Sequence, residues 1–464
     1  MSAFEKSTRR KIFYGMVLLF ALIVPLALLY SRGYVPDFNR RGFVATGGIF
    51  VKTAQPGARV FIDGEFSKET SFILHGALIT NLLPKRYTVR VEKAGYQSWS
   101  KAVRVTDEEV LEFRNVLLPR SDIRPAALYT GRLKTPIRAV PLAGRSELAL
   151  ETGDPSRPIS LVILDPRSGR RMGEYGAVSR WDWDENSGAL IIGRKSGGGM
   201  RWSRVPLAPG GAAAEERIDF RGLPPGFFAD RVIPHPTEVG QFYFSAGGAL
   251  FLQGRSSVPI AIAEQVHAYA ASREHLYFIT RNGFFAESNL VGGDAKLLGR
   301  KGLLLDEGSP ARILIGPDGD VAVFDAANGL FLYRPGRSTE LELVAGGITG
   351  ADFSASGDRL LIWDERHLWV YWLKDNPAQP FDLAGTKKQI FTTDVPIRRA
   401  YLNTAGTHAF YSTDQGIRMV EVDDRANVNS YDLVTASVGS FAMDRNDLTL
   451  YWFEIPTLYR ASVR

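Results

Sequence analysis

The 464-residue chain has no cysteine, and that absence removes several chemistries at once. Disulfides, thiol nucleophiles and cysteine-ligated metals are all excluded. Export is not, since an exported domain without cysteine stands on its hydrophobic core alone. Histidine is scarce as well: His75, His235, His267, His275, His367 and His408 make up the whole set. None forms His-x-x-x-His or a glutamate-containing metal pair, and His267 and His275, eight apart, fit turn and strand-edge positions better than a metal site. No Gly-x-Ser-x-Gly occurs. Ser356-Gly357 and Gly439-Ser440 lack the flanking glycines of a nucleophile elbow. Ser196-Gly-Gly-Gly-Met200 lacks the Lys-Ser/Thr of a phosphate loop and reads as a hairpin turn. The sequence therefore assigns no catalytic residue, no metal ligand and no cofactor.

A strong charge of one sign is also missing from most of the chain. The overall net charge is +6, with a pI near 9.3. Residues 1–41 carry seven basic and two acidic residues, whereas residues 42–464 carry 49 basic and 48 acidic ones. Nucleic-acid binding needs a basic patch or excess, so it is not expected.

Long apolar runs are absent with one exception, the 19 uncharged residues from Ile12 to Tyr30. As a helix this run would measure about 28 Å, near the thickness of the bilayer hydrocarbon. Ile12, Leu18, Phe20, Ile23 and Leu29 mark its apolar surface, and Pro25 is tolerable in a membrane helix. Arg9, Arg10 and Lys11 cluster directly before it, while Arg32, Arg40 and Arg41 follow more sparsely. The positive-inside rule then predicts a cytoplasmic tail at 1–11, a single-pass anchor at 12–30 in the inner membrane, a linker at 31–44, and everything later on the outer side. The rival is a cleaved signal peptide. Its apolar region would be shorter, and Leu28-Leu29-Tyr30-Ser31 offers no small-x-small site.

Residues 45–118 alternate in strand fashion. Gly48–Thr53, Ala58–Asp63, Arg86–Glu92, Ser98–Val105 and Val110–Leu117 are candidate strands, with hairpin turns at Asp63-Gly64 and Ala94-Gly95. Five to seven short strands in so few residues predict a small β-sandwich. Pro56-Gly57-Ala58, Val60 to Gly64, Leu83-Pro84, Tyr87 to Val91 and Gly95-Tyr96-Gln97-Ser98-Trp99 follow one another in the order that resembles the PEGA domain family. The glutamate of the family name is absent, Gln55-Pro56-Gly57-Ala58 standing there, and Lys85-Arg86 replaces the glycine before the tyrosine. The resemblance implies an extracytoplasmic β module and no reaction.

Residues 119–464 repeat one phrase: an apolar strand, a polar turn, and a second apolar strand. Second-strand positions Leu148, Leu190, Phe242, Leu276, Val321, Leu360, Ala409 and Leu450 are separated by 42, 52, 34, 45, 39, 49 and 41 residues. The spacing is that of four-stranded propeller blades, seven or eight in number. The last unit is one strand short, and Ala126 to Thr130 is the expected donor of that strand. The turns at Phe353 to Ile362 and Gly316 to Gly319 resemble those of WD40-like and TolB-like propellers, without a Gly-His opening any blade. The expected fold is all-β apart from one transmembrane helix, a small sandwich followed by a propeller.

Acids such as Asp182 and Asp184, Asp364 and Glu365, or Asp423 and Asp424 either close turns or pair in a cleft. Trp99, Trp181, Trp183 and Trp369 either pack between sheets or stack on sugar rings. The leading expectation is a non-enzymatic, membrane-anchored binding or scaffold protein of the bacterial cell envelope, with a surface protein or polysaccharide as ligand. A propeller hydrolase or lyase acting on envelope glycans and a purely structural envelope component remain the alternatives.

Overall fold

The structure is a computed structural model that describes residues 6–31, 33–37, 42–130, 136–154, 157–208, 211–212, 214–220, 222–223, 227–254, 257–299, 302–306, 311–438 and 441–464. The chain divides into two compact units. The first comprises Met1–Asp122 completed by two distant segments, Asn376–Phe381 and Asp423–Asn429, and the second contains the rest.

The first unit begins with a helix at Lys6–Ser31. Within it Arg10–Leu29 has a mean hydropathy of 2.7 and no buried face, so it is long and apolar enough to cross a bilayer. Ile12, Leu18, Phe20 and Ile23 are exposed around it. Among the described residues no hydrophobic core claims any face of it.

The remainder of this unit is a sandwich of two sheets. In one, Gly47–Thr53 lies between Gly76–Leu82, antiparallel, and Val110–Val116, parallel. The other runs Glu65–Glu69, Arg59–Ile62, Arg86–Glu92, Trp99–Arg104. Alternation decides what is inside: Tyr87, Val89 and Val91 point inward on one strand, and Trp99, Lys101 and Val103 on the next. The turn at Asp63-Gly64 holds both residues at positive φ, 51° and 88°, the geometry that a two-residue hairpin of this twist requires.

The two distant segments cover one edge strand of each sheet, Val110–Val116 in the first and Trp99–Arg104 in the second. Gln379 accepts from the Glu112 amide (3.0 Å) and donates to the Val110 carbonyl (3.0 Å). The Arg425 guanidinium lies 4.5 Å from the Phe113 ring centre and donates to the Glu112 carbonyl (2.7 Å). On the other sheet, Asn427 and Asn429 bond the carbonyl and amide of Ser100. Open ladder groups that would invite further pairing are thereby satisfied. Lys101 is fully buried, and its ammonium donates to the carbonyls of Asp423 (2.7 Å), Arg425 (2.9 Å) and Asn427 (2.8 Å).

The second unit is eight antiparallel sheets among the described residues, numbered here as blades 1 to 8 in chain order. Their innermost strands are Pro136–Pro141, Arg180–Asp184, Arg231–Pro234, Val266–Ala271, Arg312–Ile315, Gly350–Phe353, Arg399–Leu402 and Phe441–Asp444. The outer position of blade 2 is shared by Gly211–Ala212 and Glu216–Ile218. Blade 8 closes the ring: Ala126–Thr130 pairs with the last strand, Thr457–Ser462, which also pairs with Thr449–Glu454. The alternative of seven blades is thus settled as eight. Cores form in the seams between neighbours. Leu150, Val162, Tyr451 and Leu458 join blades 1 and 8, and Leu190, Leu161 and Val205 join blades 1 and 2. Within blade 6, Gly350 pairs across the strands with Trp363, and a Cβ there would come within 2.1 Å of the Trp363 ring.

The repeat turns explain the acids and amides that precede them. Asn403 Oδ1 accepts from the amides of Thr407 and His408, and Asp325 Oδ1 from those of Ala327 and Gly329. These side chains satisfy turn amides that strand pairing leaves open.

Candidate functional site

The inner strands of a propeller surround a channel, and the turns that follow them gather at one end of it. Four such turns, from blades 2 to 5, enclose a cavity of about 860 Å³. Asp182, Trp183, Arg231, His235, His275 and Asp318 contribute polar and aromatic surface.

Each of these side chains is held in place. The backbone N–H of Trp183 donates to Asp182 Oδ1 at 2.8 Å. Burial pushes the Asp182 carboxyl above its ordinary range, against the opposing pull of that N–H and of the Arg231 charge. His235 is 4% exposed and stacks on Tyr243 with ring centres 5.2 Å apart. Its Nδ1 accepts from the backbone N–H groups of Thr237 (3.3 Å) and Glu238 (3.0 Å), so that nitrogen is unprotonated, and burial holds the ring below its usual pKa. His275 faces the buried Glu287 (3.6 Å), which also receives Lys296 (2.7 Å) and the Tyr333 hydroxyl (3.0 Å). Asp318 pairs with Lys374.

Across the same inner strands, at their opposite ends, a second cavity of about 340 Å³ is lined by Arg138, Glu151, Trp181, Arg180 and, from both cavities, Asp182 and Arg231. Arg138 meets Glu151 with two parallel bonds of 2.7 Å each, and the Trp181 indole N–H donates to the same carboxylate at 2.6 Å. Arg180 and Asp184 terminate one strand four residues apart, so the two levels are separated by roughly 13 Å.

The four tryptophans singled out in the sequence part company here. Trp183 and Trp181 each line a cavity. Trp99 does not: it is 1% exposed in the sandwich core, edge-on to Phe113 with centres 5.0 Å apart, so stacking on a ligand is ruled out for it by burial. Trp369 is half-buried between blades 5 and 6, tilted against His367 at 5.3 Å, and lines neither cavity. Asp182 and Asp184 are adjacent in pattern but not in role, because Asp184 closes its turn onto the Ser187 amide (3.2 Å). Asp364 likewise caps the amides of Arg366 and His367. Arg9, Arg10 and Lys11 lie in the first turns of the apolar helix. The flanking Arg40 and Arg41 fall outside the described residues. Among the described residues no cluster of three His, Asp or Glu side chains is disposed to hold a metal, and His267 Nε2 accepts the Ala311 amide.

Arg231, common to both cavities, was not legible as a site residue. The available signal was that inner strands repeatedly open on arginine: Arg138-Ala-Val, Arg180-Trp, Arg231-Val-Ile, Arg312-Ile-Leu and Arg399-Ala-Tyr.

The second unit is thus an eight-bladed β-propeller, and the first carries the sandwich. Residues 46–121 match the PEGA domain family, so that stretch is a PEGA domain. No curated protein matches the chain. Similar solved structures include the computationally designed protein Ika8, at 10% identity and a TM-score of 0.48, covering 73% of this chain and 98% of that one. The β-propeller domain of Cps50 (Swd1) from Myceliophteria thermophila is 14% identical with a TM-score of 0.44, covering 74% and 100%. Sqt1 of Saccharomyces cerevisiae is 10% identical with a TM-score of 0.46, covering 72% and 97%.

Proposed function

We propose that this protein is a membrane-anchored binding module of the bacterial cell envelope, held by its N-terminal helix with the PEGA domain and propeller on the outer side. Its ligand is a surface protein or polysaccharide. The observation that carries this reading is the cavity at the end of the channel. It is assembled from four blades and lined by side chains whose orientation is fixed by turn and seam bonds, which is the preorganisation a recognition site needs. Trp183 supplies an aromatic face beside carboxylates and an arginine, a combination suited to sugars or polar peptide groups.

The test uses full-length protein in dodecyl maltoside or nanodiscs, probed on a glycan array and against envelope extracts with mass-spectrometric identification. Specific capture that Trp183→Ala and Arg231→Gln abolish supports the reading. Capture that survives both, or none at all, overturns it. Protease accessibility of the propeller in spheroplasts tests the orientation.

A second reading rests on Asp182. Burial in a cavity raises the pKa of this carboxyl, the direction that suits a general acid, so a propeller enzyme acting on envelope glycans is the alternative. Turnover of cell-wall fractions that Asp182→Asn eliminates would select it.

A further inference from the structure

The arginines that open the inner strands stand in register. Arg138, Arg231, Arg312 and Arg399 each lie three residues before the last paired residue of their strand: Pro141, Pro234, Ile315 and Leu402. These are blades 1, 3, 5 and 7, so alternate blades present a guanidinium at one level of the channel. Arg180 of blade 2 and His267 of blade 4 sit one residue earlier.

Their neutralisation is incomplete. Arg138 is committed to Glu151, but among the described residues Arg180, Arg231, Arg312 and Arg399 have no carboxylate within 4.0 Å. What touches them holds without neutralising. Arg231 lies 5.1 Å from the centre of the Tyr269 ring, and Arg399 5.5 Å from that of Tyr401. Arg312 rests 4.2 Å over Phe324 and donates to the Thr349 carbonyl at 3.2 Å. Of the nearby acids, Asp352 is already bonded by Arg445 at 2.6 Å, and burial drives both Asp352 and Asp182 toward the neutral form. Arg312 is exposed, and desolvation together with the Arg399 charge holds its guanidinium below the ordinary range. Like charges held near one another without a carboxylate partner are a cost to the fold that a bound anion would remove.

We propose that this arginine level is a recognition site for an oxyanion, a carboxylate or phosphoryl group borne by the propeller's ligand. Guanidinium forks match either group with paired hydrogen bonds, and aromatic rings beneath them fix the forks in place. The site rests on the binding reading of the propeller and gives it a chemical class. The neighbouring 340 Å³ cavity, which Arg180 and Arg231 line, has room for the group and for the residue that carries it.

The experiment melts the full-length protein in dodecyl maltoside at fixed ionic strength, with inorganic phosphate, glucuronate or glucose added, and follows tryptophan fluorescence in the same titrations. Phosphate or glucuronate should raise Tm by a few degrees and perturb the emission of Trp181, and glucose should do neither. Whichever anion acts more strongly identifies the phosphoryl or the carboxylate source. Arg312→Gln combined with Arg399→Gln should weaken the anion at least roughly tenfold. The same variant should melt higher than the parent without anion, because a repulsion is gone, and Arg231→Gln alone should show the same signs more weakly. An anion response that the double variant retains overturns the proposal, as does an anion-free variant that melts lower, the mark of a purely structural role. Anion binding without capture of any envelope component would leave this site standing while refuting the proposed partner.

Discussion

Replacing Lys101 tests the reasoning about the first unit most directly. Its ammonium is fully buried, and each of its three protons is given to a carbonyl at 2.7–2.9 Å, with Asp423 Oδ1 a further 3.8 Å away. In Lys101→Ala, three carbonyls lose a charged donor and the side-chain stem leaves a cavity. Each charge-assisted bond is worth about 1.5–3 kcal/mol, but the desolvation cost of the buried ammonium offsets part of their sum, so a net loss of about 3–5 kcal/mol is expected. For a unit of this size that corresponds to a fall in Tm of at least about 12 °C. Lys101→Met keeps the stem and removes only the charge, and it should retain most of the loss. Calorimetry of the full-length protein in detergent measures the shift, and hydrogen exchange at the amides of residues 423–429 should accelerate in both variants. A fall below about 4 °C, near 1 kcal/mol, would refute the claim that the ammonium organises this segment.

Three further outcomes follow from the geometry. Deleting Thr457–Arg464 removes the strand that joins Ala126–Thr130 to Thr449–Glu454, and should lower the propeller's Tm by more than about 10 °C, while Leu458→Ala alone should cost about 2–5 kcal/mol; an unchanged melt would sink the closure. The folded pKa of His235 is held below its ordinary 6.5, so the unfolded chain takes up the proton first as pH falls. Its contribution is therefore full above about pH 6.5 and lost as pH drops through the folded value. His235→Asn keeps an acceptor for the Thr237 and Glu238 amides without titrating, and should flatten the Tm difference between pH 7.5 and pH 5. Trp99→Ala should cost about 3–5 kcal/mol by emptying the sandwich core, whereas Trp183→Ala, whose indole gives up one bond to the Ala143 carbonyl, should cost less than about 1.5 kcal/mol.

Most of the architecture was legible because its signals are local. The 86–92 strand has the bounds its alternation implied, and all eight second-strand positions lie on second strands. The uneven spacing has local causes as well. The 52 residues from Leu190 to Phe242 include the ten-residue strand Gly199–Ala208 and two short strands sharing one outer position, while the 34 from Phe242 to Leu276 pass through blade 3 with little more than turns between its strands. Two inner residues of the sandwich show the limit of the same logic. Trp99 and Lys101 occupy alternate inward positions of one strand, so the pattern that buries the first also buries the second. An inward lysine in an alternating strand is a visible anomaly, but its partners come from more than three hundred residues away, and no local pattern names them.

What the sequence determined by itself is therefore whatever nearest neighbours along the chain decide. That includes one lipid-length helix, the strands and turns of a PEGA sandwich, the blade period, and the donor strand that completes the last blade. Tertiary structure alone decided which polar residues share a space. Asp182 and Asp184 are two residues apart and border the same cavity, yet only Asp184 closes a turn onto the Ser187 amide, while Arg312 and Arg399, on strands from blades 5 and 7, feel each other's charge. Ring closure does this physically: it brings the starts of eight distant strands to a common axis, so charges that are diluted along the chain become concentrated at one level of the channel.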